Sequence, residues 1–174
     1  MKVSKFLFVA AMAVAVSMTS CLDNVSSDYT PEIHISQLYL NPYYLNDTLV
    51  AEDTLNFQYS NALSKYVSDS ISVGDTAMIG VAFYSLANNL TALTISWDTT
   101  AIEGWLGLND AVTAVLSDTT QVQQGYLPII PGYNMVTFPM YLKPLKSGVH
   151  NISLTVESDS KYSPKSETFG LTTR

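Results

Sequence analysis

Beyond Pro31 the chain never sustains a helical period over several turns, and alternation recurs in its place. Ile152, Leu154 and Val156 alternate with Ser153 and Thr155, and Leu93, Ile95 and Trp97 alternate with Thr94 and Ser96. Successive side chains of a strand point to opposite faces, so this pattern is that of strands with one buried side. Candidate strands are Glu32–Leu40, Thr54–Ser60, Thr76–Ser85, Thr91–Trp97, Gln121–Ile129, Met135–Leu142, Val149–Glu157 and Lys165–Thr172. Turn residues separate them at Asn41-Pro42, Gly74-Asp75, Asn88-Asn89, Pro131-Gly132 and Ser147-Gly148. Short strands punctuated in this way predict one all-β sandwich or barrel over residues 32–174. Pro139 lacks a ladder donor, which predicts a bulge or an edge position for its strand. Ala101–Ser117 contains Gly104 and Gly107, which weaken a helix, and reads as an irregular insertion with one helical turn.

The first residues follow a different pattern. Lys2 and Lys5 precede the uncharged run Phe6–Val16, and Ser17-Met18-Thr19-Ser20 leads to Cys21. A positive start, a short apolar run and a small-residue site are the three parts of an export signal. The run is shorter than the roughly 20 apolar residues of a membrane-spanning helix. Residues 1–20 are therefore expected to be removed, and residues 21–31 to form a polar tether.

Cys21 is the only cysteine, which excludes a disulfide framework. Of 8 basic residues, Lys2 and Lys5 fall in the leader; 6 then stand against 15 acidic ones, a formal charge of −9 for the mature chain. Such a surface repels a phosphate backbone, so nucleic acid is excluded as a partner. It also lacks the basic patch that would draw it to anionic lipid.

Ser20-Cys21 resembles the lipobox of bacterial lipoproteins, with Met18 in place of the more usual leucine. The resemblance implies a lipid on the Cys21 thiol and cleavage after Ser20. Two or three acyl chains, at about 0.8 kcal/mol per buried CH₂, anchor stably where one is marginal. Two further phrases resemble immunoglobulin-like domains: Gly74–Val81 (GDTAMIGV) their second strand, and Pro144–Val156 (PLKSGVHNISLTV) a late strand entry. With the lipobox, the chain resembles the small immunoglobulin-like lipoproteins of Bacteroides-type bacteria. That implies an immunoglobulin-like β-sandwich held at the outer membrane, and both periplasmic and surface-facing orientations fit it. The paired cysteines and tryptophan of antibody domains are absent.

No catalytic set emerges. His34 and His150 have no ligand or triad partner at a telling spacing, and both are expected to face solvent. No calcium loop, Walker loop or dinucleotide fingerprint is present, and neither metal nor cofactor is expected. A binding module for a glycan or an envelope protein is the expectation. An assembly subunit is the alternative, with a hydrolase built from loop carboxylates behind both.

Two further patterns bear on binding. Asp followed by Ser or Thr recurs at Thr48, Thr54, Ser70, Thr76, Thr99 and Thr119. The spelling resembles the O-glycosylation acceptor of Bacteroides-type exported proteins, while Asp before Thr also caps turns without any sugar. Tyr43, Tyr44, Trp105, Tyr126 and Tyr133 fall outside the clearest strands and are candidate ligand-contact aromatics. Trp97 is expected in the core.

Overall fold

Alternation divides each long strand into a core side and a water side, and in the computed structural model two sheets meet through their core sides. The structure describes residues 28–46 and 48–174. Thirteen strands occur among them: β1 (Glu32–Leu40), β2 (Tyr43–Leu45), β3 (Thr48–Val50), β4 (Asp53–Leu55), β5 (Phe57–Ser60), β6 (Lys65–Ser68), β7 (Ala77–Tyr84), β8 (Leu90–Trp97), β9 (Ile102–Leu106), β10 (Tyr126–Pro128), β11 (Met135–Pro144), β12 (Gly148–Ser158) and β13 (Lys165–Thr173). A single helical turn, α1 (Asp110–Thr113), follows β9 and is capped by the Asn109 side chain on the Val112 N–H at 2.9 Å.

One sheet runs β4-β1-β7-β11-β9, the other β10-β8-β12-β13-β6-β5, and β2-β3 form a separate hairpin. All pairs are antiparallel except β13 with β6. Immunoglobulin sandwiches carry strands A-B-E-D opposite C-F-G. Here β1-β7-β11-β9 and β8-β12-β13 reproduce those two layers in the same chain order. The fold is an all-β, immunoglobulin-like sandwich, with β4 to β6 and β10 added at the edges.

Between the layers lie Phe83, Phe138, Ile79, Leu93, Ile95, Met140, Leu154 and Phe169, each at most 2% exposed. Burying one such side chain contributes about 1.5–3 kcal/mol, so this layer carries most of the favourable energy. Phe83 and Phe138 pack with ring centroids 5.9 Å apart.

The structure corrects several expectations. Ala101–Ser117 is not an irregular insertion, because its first part is β9, paired with β11 from Leu106↔Met140 to Ile102↔Pro144. Gly104 sits there because a Cβ would lie 2.7 Å from the Trp97 ring. Trp97 itself is half-buried and packs against the core margin. Pro139 lies in an interior strand rather than at a bulge or edge. Its carbonyl accepts from Gly107 N at 2.8 Å, so its nitrogen faces the same side, just past the end of β9. The ladder with β7 on its other side is kept, and the missing donor falls where β9 has ended at Leu106. Tyr43 and Tyr44 belong to the β2–β3 hairpin rather than a loop.

His34 is exposed on the outer side of β1, whereas His150 is not simply solvent-facing. Its Nε2 lies 2.8 Å from the Lys146 carbonyl oxygen and 3.1 Å from Thr173 Oγ1, at the corner between β11 and β12. In antibody-like domains a tyrosine two residues before the second core cysteine makes a similar bond to the backbone upstream. Here the imidazole takes that place and fully buried Ile152 the cysteine's. Replacing His150 by alanine should lower the unfolding free energy by about 1 kcal/mol, the worth of one such bond. A urea titration with an unchanged midpoint would show that the corner holds without it.

Candidate functional site

The side of the sandwich between β1 and β13 is closed along only half its length. β4 pairs with β1 at Leu38–Leu40, and β6 pairs with β13 at Phe169 and Gly170. Before those points, Glu32–Ile35 of β1 and Lys165–Thr168 of β13 each have a ladder on one side only among the described residues. Two stretches of unpaired backbone therefore flank one groove.

Its cavity is about 340 Å³ and is lined by Ile33, His34, Ile35, Phe57, Tyr66, Glu167, Thr168 and Phe169. Ile33 and Ile35 reach it because they are the core-side positions of β1, half-buried and packed against the margin of the core. Phe57 arrives from β5 and meets Phe169 edge-on at 5.2 Å and 80°. Tyr59 and Tyr66 pair edge-on at 5.3 Å on the rim and are each more than half exposed. The floor is thus apolar and the rim aromatic.

Charge borders the groove without filling it. Lys165 Nζ lies 3.1 Å from Glu167 Oε1, and Lys65 reaches Asn151 Oδ1 on the outer face. Glu32 and Glu167 both border the end nearest Pro31. Glu32 accepts a bond from the Tyr84 hydroxyl at 2.6 Å, which raises the tyrosine's pKa above its ordinary value. Each of these two acids thus has a partner. Among the described residues no three His, Cys, Asp or Glu side chains are placed to hold a metal ion.

The residues singled out from sequence do not converge on this groove. Cys21 lies outside the described residues, as do residues 1–20. Trp105 lies on the outer face of the other layer, 46% exposed and parallel to Tyr141 at 5.2 Å and 6°. Registers align Tyr39, Met78, Tyr141 and Trp105 in one row across four strands. Tyr43 is exposed on β2, and Tyr44 is on the same strand. Tyr126 is half-buried on β10, and Tyr133 is exposed at the turn before β11.

The Asp-Ser/Thr positions are dispersed as well. Asp98 Oδ1 accepts from Thr100 N and Oγ1, both at 2.8 Å, and Asp118 Oδ1 accepts from Thr120 N at 2.8 Å. These donors hold both carboxyls below the ordinary aspartate range, the Thr100 hydroxyl leading at Asp98 and the Thr120 N–H at Asp118. Asp53 accepts from Thr54 N at 2.7 Å, and Asp75 from Ser72 N at 3.1 Å. Asp75, Asp98 and Asp118 therefore cap turns, whereas Asp69 accepts from Asn56 N at 3.1 Å. Thr48, Ser70, Thr99 and Thr119 are exposed, whereas Thr54 and Thr76 are half-buried.

No family model matches the chain, and no curated protein matches its sequence. Among solved structures it is similar to a family 123 glycoside hydrolase from Clostridium perfringens, described for glycolipid glycan hydrolysis. Identity is 12% and the TM-score 0.43, over 84% of this chain and 27% of that one. The chain thus spans about a quarter of that protein's length. At that level no activity transfers.

Proposed function

We propose that the chain is a non-enzymatic lipoprotein of the cell envelope, of the Bacteroides-type immunoglobulin-like kind, anchored by lipid on Cys21. Its groove receives an extended segment of a protein partner. The carrying observation is the pair of unpaired strand edges on either side of an apolar floor. Extended backbone supplies alternating donors and acceptors at the spacing those edges need, and alternate side chains reach Ile33, Ile35, Phe57 and Phe169. A displayed random peptide library panned on the mature protein should enrich alternating apolar sequences. Binding of those peptides should weaken by about tenfold on Phe57→Ala, the loss of about 1.4 kcal/mol. Equal binding to wild type and variant would remove the groove as the site.

A second reading has its own observation. The Trp105–Tyr141 stack lies on an outer face with Trp105 46% exposed, an aromatic surface of the kind on which sugar rings stack. Retardation of wild type but not Trp105→Ala in polysaccharide gels would favour it. The glycosylation motif also belongs to the envelope reading. Thr99 and Thr119 are its leading candidate acceptors, because Asp98 and Asp118 bond the next residue and leave both hydroxyls exposed.

A further inference from the structure

The loops joining β7 to β8 and β12 to β13 lie at one end of the sandwich, with residues 28–31 and the turn before β11. Backbone bonds fix that grouping: Leu90 N donates to Tyr133 O at 2.7 Å, Ser85 N to Asn134 O at 2.8 Å, and Asp159 N to Asn89 O at 3.0 Å. This end exposes five large apolar or aromatic side chains: Tyr29 at 43%, Leu86 at 66%, Tyr133 at 41%, Met135 at 59% and Tyr162 at 53%. The entering chain is tied down there too. Tyr29 N donates to Asn88 Oδ1 at 3.2 Å, and Lys161 Nζ lies 3.3 Å from Asp28. Part of the segment read as tether is therefore fixed to the body.

Covalent geometry then sets a distance. Asp28 is seven residues beyond Cys21, and at roughly 3.3–3.6 Å per residue the two are at most about 25 Å apart. The sandwich is longer than that, since β12 alone has 11 residues and spans about 35 Å. A lipid on Cys21 would thus hold the end bearing Tyr29, Leu86, Tyr133, Met135 and Tyr162 within about 25 Å of the bilayer, a reach shorter than the sandwich.

We infer that this end seats on the membrane, its tyrosines, Leu86 and Met135 entering the headgroup layer of a zwitterionic surface. The inference rests on the proposed anchor at Cys21. Tyrosine suits such a layer, with an apolar ring and a polar tip. Charge plays little part. Asp28 is paired with Lys161, Glu32 with the Tyr84 hydroxyl, and Asp159 with the Asn89 amide at 2.9 Å. Lys161 also lies 5.0 Å over the Tyr162 ring. Among the described residues no basic patch at this end draws anionic lipid, so seating should persist at high salt.

The test uses the mature lipidated protein in phosphatidylcholine vesicles. Leu86→Cys, Met135→Cys and Leu145→Cys each carry an environment-sensitive dye, Leu145 being exposed at the opposite corner. Lipid brominated near the headgroup should remove about half the emission at positions 86 and 135 and leave position 145 unchanged. Protein that floats with the vesicles while all three dyes respond alike would overturn the seating and keep the anchor. Protein that does not float would overturn both.

Discussion

Gly125→Ala should lower the unfolding free energy by roughly 3 kcal/mol or more, the range reserved for strained backbone combined with collision. Gly125 closes the turn before β10 at φ +77°, and its carbonyl accepts from Ile95 N at 2.8 Å. A Cβ there would lie 1.9 Å from the Ile95 carbonyl oxygen, an atom of β8 that is fixed in the sheet. Gly132 provides the comparison, with φ +103° and no atom within 4 Å of an added Cβ. Gly132→Ala should therefore cost only the conformational part, about 1 kcal/mol. Equal losses in denaturant titrations of the two variants would mean that the β8–β10 contact relaxes freely.

Cys21→Ala should abolish palmitate incorporation and release the protein from membranes. On the proposed reading the anchoring energy resides in the acyl chains, at about 0.8 kcal/mol per buried CH₂, so no other residue would replace it. The sandwich begins at Glu32 and its core, among the described residues, includes no cysteine, so the released protein should unfold at the same midpoint. Unchanged labelling would sink the lipid reading. A lowered midpoint would instead give Cys21 a part in the fold.

Where one face of a strand is buried along its length, alternation made it legible. β1, β7, β8, β11, β12 and β13 all answer to stretches marked by such patterns. β2, β3 and β6, of three or four residues each, are too short to show a period. β9 was hidden for another reason. Gly104 and Gly107 weaken any local propensity, and both exist for tertiary neighbours: Trp97 beneath one, Pro139 and Tyr141 beside the other.

The groove was less legible still. Ile33, Ile35, Phe57 and Phe169 look like ordinary core positions, but only Phe169 is fully buried, the other three being half-buried against the core. What makes a site of them is where β4 and β6 stop pairing, and register ends leave no trace in composition. Aromatics picked for falling outside strands came from four separate places. His150 went unrecognised as a corner pin because its partner is the Lys146 backbone carbonyl, which no sequence pattern displays.

The unpaired edges of β1 and β13 begin at the tether end and run toward the far corner, along the sandwich's length. On the proposed reading, a partner segment held there and tugged away from the membrane would be loaded parallel to its own axis. Its ladder bonds then share the force at once and resist sliding, instead of peeling apart one after another. Such a joint yields slowly under steady tension yet releases readily when lifted sideways.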